Sequence, residues 1–339
     1  QPRLTLISNQ VRGHTVTVTL NDIKQAHERI ADKIVKTPLL NSPRLDEIAG
    51  RKLWIKAEPL QVTGSFKFRG ACSAISSLPN ETLNRGVLAY SSGNHAQGVA
   101  LAAKVFGTQA TIIMPHDAPA NKVANTKAYG ATVVHYERGV ESREAIGARL
   151  AKEQGFHLVK PYDDLDVIAG QGTVGLELAE QMTEAGARAK ALLCCCGGGG
   201  LSSGIAVALS ELRPKIRVHT SEPEGFDDTA RSLALGERIS NPTEQGSICD
   251  AIVTPTPGEL TFPLLQQHAG DGFAVSDESV LVAIKTAFET LKVIVEPGGA
   301  VALAAELNPQ NLPDEKELIV MLSGGNVDEQ LFQQSLQIS

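Results

Sequence analysis

A lysine between two phenylalanines is the first group in the sequence that could do covalent chemistry. Lys67 stands in the segment Gly64–Gly70, which reads GSFKFRG and follows the apolar run KLWIKAE. Aromatic neighbours and a helix N-terminus both disfavour the ammonium form, because burial removes its hydration and the helix end repels a cation. A neutral amine can form a Schiff base with a carbonyl compound. An ordinary lysine at a helix start would give the same pattern, so this motif alone leaves both interpretations open.

Four consecutive glycines form the second candidate site. They occupy 197–200, after the apolar run ALLCCC and before the helical pattern LSSGIAVALSEL. Main-chain N–H groups converge at such a strand-to-helix turn and favour an anion such as phosphate. If the turn bound no ligand, nothing would offset the conformational entropy that four glycines lose on folding. A dinucleotide site is the rival interpretation, because Gly198, Gly200 and Gly204 loosely match the glycine fingerprint and Glu222 ends the next strand, although the GxGxxG spacing is missed.

Two more strand ends carry polar groups. The run SSGNHAQ places Ser91, Asn94 and His95 where a strand turns into a helix, and Ser323 begins SGGN after the apolar run ELIVML. Hydroxyl, amide and free N–H groups at a helix start suit a carboxylate. A histidine in this setting is, taken alone, more often structural than catalytic. Ligands of α/β sheets bind at the carboxyl ends of the strands, where all these groups fall.

A pair of carboxylates suggests a metal site. Glu222 and Asp228 lie in SEPEGFDD, just past the run IRVHTSE. Two hard oxygen ligands on one loop, with a main-chain carbonyl between them, suit Mg²⁺ or Ca²⁺. Two solvated surface acids would give the same pattern.

The elements that must position these residues alternate between strand and helix. This alternation predicts an α/β fold with parallel sheets covered by helices. We expect two domains: a small one at 84–154, and a large cofactor-binding one formed by 1–83 and 155–339, with the active site in the cleft between them. The runs predicted as strands are KLWIKA, GVLAYSS, ATIIMP, ATVVHY, FHLVKP, ALLCCC, IRVHTSE and ELIVMLS.

Composition narrows the class of partner. The 339 residues carry a net charge of -7 with no concentrated Lys/Arg run, which argues against nucleic acid or an acidic membrane. No 18 consecutive apolar residues occur and the N-terminal stretch lacks a signal-peptide pattern, so neither a membrane span nor secretion is expected. The five cysteines include Cys194–Cys196 in an apolar run and show no zinc spacing. They indicate buried thiols in a reducing, cytoplasmic location.

The motifs also occur in a characteristic order over about 37–328: KTPLL, GSFKFRGA, SSGNHAQGVALAAK, MPHDAPANKVANTKAYGA, AGQGT, CGGGGL, EPEGFDD, EPGGA and SGGN. Each motif alone is a weak signal, but the ordered set is specific. It resembles the fold-type II pyridoxal-phosphate enzymes, which have the tryptophan synthase beta-like fold, and among them the serine/threonine dehydratases and serine racemases.

The resemblance implies roles for matching residues. Lys67 would bind pyridoxal phosphate as a Schiff base and then act as the base at the substrate Cα. Ser92 could donate a proton on the opposite face, as inversion of Cα requires, or could only stabilise the loop or assist a leaving hydroxyl. Ser91, Asn94 and His95 would line the pocket for the substrate carboxylate. The cofactor would be held by Phe66, Lys67, Asn94, Gly197, Gly198, Gly199, Gly200, Leu201 and Ser323.

Three of these residues would meet the cofactor ring. The resemblance implies that Phe66 packs against the ring, Asn94 bonds its 3-hydroxyl and Ser323 meets its pyridine nitrogen. A serine in place of an aspartate leaves that nitrogen unprotonated and the ring a weaker electron sink. This favours rapid loss of a β-leaving group over a long-lived carbanion.

The resemblance extends to the metal and the assembly. Racemase-like relatives place a structural divalent cation on residues matching Glu222, Asp228 and the carbonyl of Phe226, and the family usually forms homodimers. Two departures stand near the cofactor segments. Ala251 replaces a common glycine, and Gly298 stands where relatives often carry threonine, serine or alanine.

Two activities are therefore expected from the sequence. The first is a β-eliminating ammonia-lyase that converts an L-β-hydroxy amino acid, such as threonine, serine or 3-hydroxyaspartate, to a keto acid and ammonia. The alternative is a serine or aspartate racemase that uses Lys67 and Ser92 as two bases. A dinucleotide-dependent oxidoreductase and a catalytically silent metabolite-binding protein are the remaining classes.

Overall fold

The structure is a computed structural model that describes residues 17–118, 120–243, 246–308 and 312–338. The N-terminal stretch without a signal-peptide pattern lies almost entirely outside the described residues. Within them, no helix combines the length and the apolar character that a membrane crossing needs. The strands are β1 (Leu39–Leu40), β2 (Lys52–Ala57), β3 (Val87–Tyr90), β4 (Ala110–Pro115), β5 (Thr132–Tyr136), β6 (His157–Leu158), β7 (Ala191–Cys195), β8 (Arg217–Pro223), β9 (Ala269–Val275) and β10 (Glu317–Leu322). The α-helices are α1 (Leu20–Ile30), α2 (Pro43–Ala49), α3 (Lys67–Ser76), α4 (Asn80–Arg85), α5 (Asn94–Val105), α6 (Ala120–Ala128), α7 (Arg143–Gln154), α8 (Leu165–Ala185), α9 (Gly200–Leu212), α10 (Asp228–Leu235), α11 (Thr261–His268), α12 (Asp277–Leu291), α13 (Pro297–Leu307) and α14 (Glu329–Leu336).

The larger sheet has the strand order β1-β2-β10-β7-β8-β9. Its neighbours pair in parallel except β1, which runs antiparallel to β2. The α/β fold with helix-covered parallel sheets is thus confirmed, and each run predicted as a strand contains one. The sequence did not predict β9, whose segment AGDGFAV is poor in β-branched residues. Its glycines serve packing, since a Cβ at Gly270 would lie 2.6 Å from His219 and one at Gly272 would lie 2.5 Å from Ala230.

The smaller sheet has the order β5-β4-β3-β6 and all its neighbours pair in parallel. The predicted small domain ended at 154, whereas the fourth strand of this sheet lies beyond that position. His157 donates its N–H to Gly86 and Val159 to Leu88, and these bonds attach the short strand β6 to β3. The segment from β3 to β6 therefore forms one sheet, and the division of the chain into two domains stays a prediction.

Both faces of the larger sheet are buried, as its apolar strands require. On β7, Leu193 and Cys195 pack with the core that includes α12 and α13, while Leu192 and Cys194 face the core that includes α8 and α9. All five cysteines are free and buried. Two opposite helix layers therefore explain why ALLCC reads as a continuous apolar run.

Helix α3, which begins at Lys67, lies between α5 and α8. A Cβ at Gly98 of α5 would come 3.2 Å from the carbonyl carbon of Lys67, and one at Gly170 of α8 would come 2.7 Å from the carbonyl oxygen of Arg69. Glycine is needed at both positions because the backbones touch. The close approach fixes the first turn of α3 between the two sheets.

Candidate active site

A cavity of about 890 Å³ lies between the two sheets, where strands β3, β7 and β10 end. The residues predicted to bind cofactor and substrate lie in segments that are far apart in the chain. The structure brings all of them to the wall of this one cavity. They are Phe66, Lys67, Ser91, Ser92, Asn94, His95, Gly197, Gly198, Gly199, Gly200, Leu201 and Ser323.

Lys67 presents its amine to the cavity from the first turn of α3. Its Nζ donates a 2.7 Å hydrogen bond to the carbonyl oxygen of Pro161 and lies 5.2 Å from the centroid of the Phe66 ring. Burial lowers the pKa of Lys67 to about 8, and the nearby Glu296 opposes this effect. A substantial fraction of the amine is therefore neutral near physiological pH, as nucleophilic attack on a carbonyl requires.

A buried cluster of four charges, none of which lines the cavity, holds α3. The guanidinium of Arg69 bonds both oxygens of Glu58 and both oxygens of Glu177, at 2.7 to 2.9 Å. Lys56 bonds Glu177 at 2.6 Å and also donates to Gln181 and to the carbonyl of Thr37. We call Lys56, Glu58, Arg69 and Glu177 the buried charge cluster. Two cations and two anions balance, and the cluster joins β2 and α8 to the helix that carries Lys67.

The glycine loop has no room for side chains. A Cβ at Gly198 would lie 2.2 Å from the ring of Tyr162, and Gly199 adopts φ +91°, where a Cβ is strained. The carbonyl of Gly198 is tied back by the hydroxyl of Thr261 at 2.6 Å, and helix α9 starts at Gly200. The turn and the helix start therefore offer main-chain N–H groups to an anion, which fits a phosphate. We find a cradle that an added Cβ would disturb, rather than a loose turn.

Two residues contradict the alternative that the glycine loop binds a dinucleotide. Gly204 lies inside α9, where a Cβ would come 2.5 Å from the carbonyl of Ile168, so this glycine serves helix packing. Glu222 accepts N–H groups of Thr229 and Ala230 at 3.0 and 2.8 Å and is fully buried. It is not placed to bind a ribose.

His95 is neutral in this site. Its Nε2 lies 2.9 Å from the carbonyl oxygen of Val159, so the ring donates this bond from Nε2. Burial, together with the charge of Lys67, lowers the pKa of His95 to about 3. The histidine therefore lines the cavity as an uncharged group with a fixed tautomer.

Glu296 is a buried carboxyl in the cavity wall that was not predicted from the sequence. Its Oε1 accepts a 2.5 Å hydrogen bond from Nδ2 of Asn94, and burial raises the pKa of Glu296 to about 7. The residue opens the motif EPGGA, which was noted for its glycines alone. A glutamate before a proline at a helix start usually signals capping, so the sequence did not point to the site.

Polar and charged side chains from the elements of the smaller sheet and its helices complete the wall of the cavity. Arg143, at the start of α7, places its guanidinium 5.5 Å from the ring centroid of Tyr90. Across the cleft, Lys122 of α6 lies 3.5 Å from a carboxylate oxygen of Asp250. Periodicity did not single out these residues, because surface charges on helices are common. The helices beside the smaller sheet thus bring cations into the wall of the same cavity as the glycine cradle.

The two departures from the family pattern face each other. A Cβ on Gly298 would lie 3.3 Å from the Cβ of Ala251. The additional methyl group at 251 thus takes up the space that a side chain at 298 would enter. The positions are far apart in sequence, so this compensation is visible only in the fold.

The predicted metal residues lie in the interior, so the alternative of two solvated surface acids is wrong. Glu222 is 0% exposed and Asp228 is 1% exposed. Burial raises the pKa of Glu222 well above its ordinary value, and the charge of Asp228 adds to the effect. One oxygen of Asp228, Oδ2, is buried without a hydrogen-bond partner. The described residues contain no cluster of three or more His, Cys, Asp or Glu side chains suited to a metal, so a cation here would also need carbonyl or water ligands.

Known proteins of one enzyme family are similar to this chain over most of its length. The family model described as "Pyridoxal-phosphate dependent enzyme" matches residues 30–324. A serine racemase of Dictyostelium discoideum is 42% identical over 92% of this chain and 96% of its own length. An L-threo-3-hydroxyaspartate ammonia-lyase of Saccharomyces cerevisiae is 42% identical over 92% of this chain and 94% of its own length. The structure of maize serine racemase superposes with a TM-score of 0.88 at 38% identity, covering 95% of this chain and 97% of that one.

Proposed function

Because the chain belongs to the pyridoxal-phosphate dependent enzyme family, we propose that it is an ammonia-lyase that converts an L-β-hydroxy amino acid to a keto acid and ammonia. Threonine, serine and 3-hydroxyaspartate are the candidate substrates. One observation carries the proposal: the amine of Lys67, with its lowered pKa, lines the same cavity as the glycine cradle of α9. Relatives named as hydroxyaspartate and threonine ammonia-lyases support it.

The residues of the cavity fit pyridoxal phosphate. When bound, this cofactor supplies an electron sink for the pair released from the substrate Cα. The N–H groups of 197–200 bind phosphate at the start of α9, and Phe66 offers an aromatic face beside Lys67. Asn94 and Ser323 provide one polar group each for the ring. Lys67 would hold the cofactor through its amine and, once the substrate amine has displaced it, would take the Cα proton on the freed amine.

The β-hydroxyl is the leaving group of this reaction. Ser91, Ser92 and the N-terminus of α5 offer hydroxyl and N–H donors to the substrate carboxylate, which keeps the Cα proton aimed at Lys67. The neutral His95 adds no charge to this pocket. The cations of the smaller sheet, Arg143 among them, suit an acidic side chain and bring 3-hydroxyaspartate into the substrate class.

Racemisation is the second candidate activity. Ser92 and Lys67 line the same cavity but come from the ends of different sheets. Inversion of Cα needs one group that removes the proton and another that returns it from the opposite face. Relatives named as serine racemases, and an aspartate racemase structure at 35% identity, favour this second reaction.

A structural Mg²⁺ or Ca²⁺ at Glu222, Asp228 and the carbonyl of Phe226 is part of the proposal. The two buried carboxylates and the unpartnered oxygen of Asp228 fit a hard divalent cation. The ion would join β8 to the start of α10 and would not contact substrate. We further propose a cytoplasmic homodimer with domains at 1–83 plus 155–339 and at 84–154; the free cysteines are compatible with a reducing compartment.

The proposal is tested by loading the purified protein with pyridoxal phosphate and measuring ammonia and keto-acid release. The panel contains the L and D forms of threonine, serine and 3-hydroxyaspartate. We expect a visible absorption band at about 410–420 nm from the lysine-bound cofactor. Lys67→Ala should remove the band and lower turnover by about a thousandfold or more.

Lys33→Ala is the matched control, because Lys33 pairs with Asp32 on the surface. It should keep both the band and the activity. A wild-type protein without the band, or a Lys67→Ala variant as active as wild type, would overturn the cofactor assignment. A protein with the band but without ammonia release or D-isomer formation across the panel would overturn the proposed reactions.

A further inference from the structure

Two side-chain amides, those of Asn326 and Asn94, connect a main-chain carbonyl to a carboxyl in the cavity wall. Asn326 donates from Nδ2 to the carbonyl oxygen of Thr63 at 2.8 Å and to Oδ1 of Asn94 at 2.7 Å. Asn94 in turn donates from Nδ2 to Oε1 of Glu296 at 2.5 Å. We call Thr63, Asn326, Asn94 and Glu296 the amide relay. It joins three motifs that lie far apart in the sequence.

The relay has only one consistent direction. The carbonyl of Thr63 can only accept, so Asn326 must present its NH₂ group to it. The second hydrogen of that NH₂ group points at Asn94, which must therefore present its oxygen. The NH₂ group of Asn94 then faces the other way, with one hydrogen on Glu296 and one left over. A main-chain carbonyl thus decides which end of the Asn94 amide lines the cavity.

Two glycines make room for the relay. A Cβ at Gly64 would lie 2.7 Å from Oδ1 of Asn326, and a Cβ at Gly324 would lie 2.0 Å from Oε1 of Glu296. The backbones of these glycine segments are themselves joined, because Gly325 donates to the carbonyl of Gly64 at 2.8 Å. The close approach leaves little space for another arrangement of the amides. The relay is therefore built into the packing of the segments that flank Lys67.

We propose that Asn326 is a positioning residue that sets the amide of Asn94 with an N–H, rather than a carbonyl, toward the 3-oxygen of the cofactor. An unguided asparagine side chain could turn either end to the cavity. A donor at this place stabilises an ionised 3-oxygen, whereas an acceptor would repel it. This inference rests on the proposed function, since it concerns how the cofactor is held.

The experiment compares Asn326→Asp and Asn326→Ala with wild type. Aspartate keeps the shape of asparagine but cannot donate, so it should reverse the Asn94 amide. Alanine removes the donor that orients the Asn94 amide, without favouring the reversed orientation. We expect the dissociation constant of pyridoxal phosphate to rise about three- to tenfold in Asn326→Asp and less in Asn326→Ala. The visible band should weaken and the near-ultraviolet band should grow, more in Asn326→Asp than in Asn326→Ala.

Asn41→Ala is the matched control for Asn326→Ala, because Asn41 also donates to a main-chain carbonyl, that of Leu53 at 2.9 Å, and to Asp46, and it does not line the cavity. It should leave the dissociation constant and the spectrum unchanged. If Asn326 mattered only for packing, alanine would be worse than aspartate, and that order would overturn the proposal. Wild-type values in both Asn326 variants would overturn it as well.

Failure of the proposed function looks different, since the wild-type protein itself would then show no visible band. If Asn326→Asp does not fold, the proposal is decided by the spectrum of Asn326→Ala. A shift toward the near-ultraviolet band supports it, and an unchanged spectrum overturns it.

Discussion

The amine of Lys67 donates a 2.7 Å hydrogen bond to the main-chain carbonyl of Pro161, in the segment between β6 and α8. The carbonyl carries no charge, so it orients the amine without fixing it in the ammonium form as a paired carboxylate would. Burial lowers the pKa of Lys67 to about 8, and the charge of Glu296 opposes this shift. The lysine is held in place and remains able to react.

The lowered pKa predicts how cofactor loading depends on pH. Only the neutral amine attacks a carbonyl, so below about pH 8 the rate of visible-band formation in cofactor-free protein should rise about tenfold per pH unit. It should level off above that pH, because most of the amine is then neutral. Stopped-flow absorbance across the range measures this rate. A rate that keeps rising beyond pH 10, as for an ordinary lysine, would contradict the assignment.

Ser92→Ala separates the two proposed activities. If Ser92 returns a proton to Cα, racemisation should fall about a hundredfold or more while elimination changes less than tenfold. Chiral chromatography and ammonia release from L-serine measure the two rates in one sample. Equal loss of both activities would mean that Ser92 serves the loop or the leaving hydroxyl. Ser77→Ala, a change in an exposed serine that donates to the carbonyl of Ala74 and to Asp166, is the control.

The buried charge cluster predicts a large effect on stability. Glu177→Gln removes one of its two negative charges and leaves Lys56 and Arg69 undercompensated in the interior. The free energy of unfolding should fall by about 3–5 kcal/mol, because a buried charge that loses its partner keeps its desolvation cost. Denaturant titration measures the change. Glu180→Gln is a control on the same helix, where an exposed pair with Lys36 should contribute less than about 1 kcal/mol.

The sequence predicts the strands well because apolar, β-branched runs are the residues that two helix layers bury. It does not predict β9, since its glycines are set by contacts with His219 and Ala230 that only the fold creates. The glycine turn and Lys67 could be singled out as candidates because four adjacent glycines and aromatic neighbours are local signals, but their roles were implied only by the ordered set of motifs. Glu296 could not be singled out, because its role depends on a hydrogen bond to Asn94, which is 202 residues away in the sequence.

The facing pair Ala251 and Gly298 can be tested with a double-mutant cycle. Gly298→Ala should be favoured by helix propensity, by roughly 0.5 kcal/mol, but opposed by its contact with the Ala251 methyl group. In the Ala251→Gly background that contact is gone, so the same change should stabilise the protein. We expect a coupling energy of about 0.5–1 kcal/mol from thermal unfolding of the four proteins. Additive effects would show that the two departures are independent.

The proposed metal site predicts a stability change that depends on one carboxylate. A cation that binds only the folded protein raises the free energy of unfolding by about 1.4 kcal/mol at ten times its dissociation constant. Ca²⁺ or Mg²⁺ should therefore raise the melting temperature of wild type, measured against the same protein in chelator. Asp228→Asn should lose this response, because the amide replaces the oxygen that has no hydrogen-bond partner.

In chelator the same variant should be at least as stable as wild type, since it removes a buried charge. Asp32→Asn, a change in an exposed carboxylate paired with Lys33, should keep the full cation response. A wild-type protein whose melting temperature ignores both cations would contradict the site. An unchanged response in Asp228→Asn would place the ion elsewhere. Glu222 would then be held by the N–H groups of Thr229 and Ala230 alone, and Asp228 by the amide of Asn241, which donates to its Oδ1 at 2.6 Å.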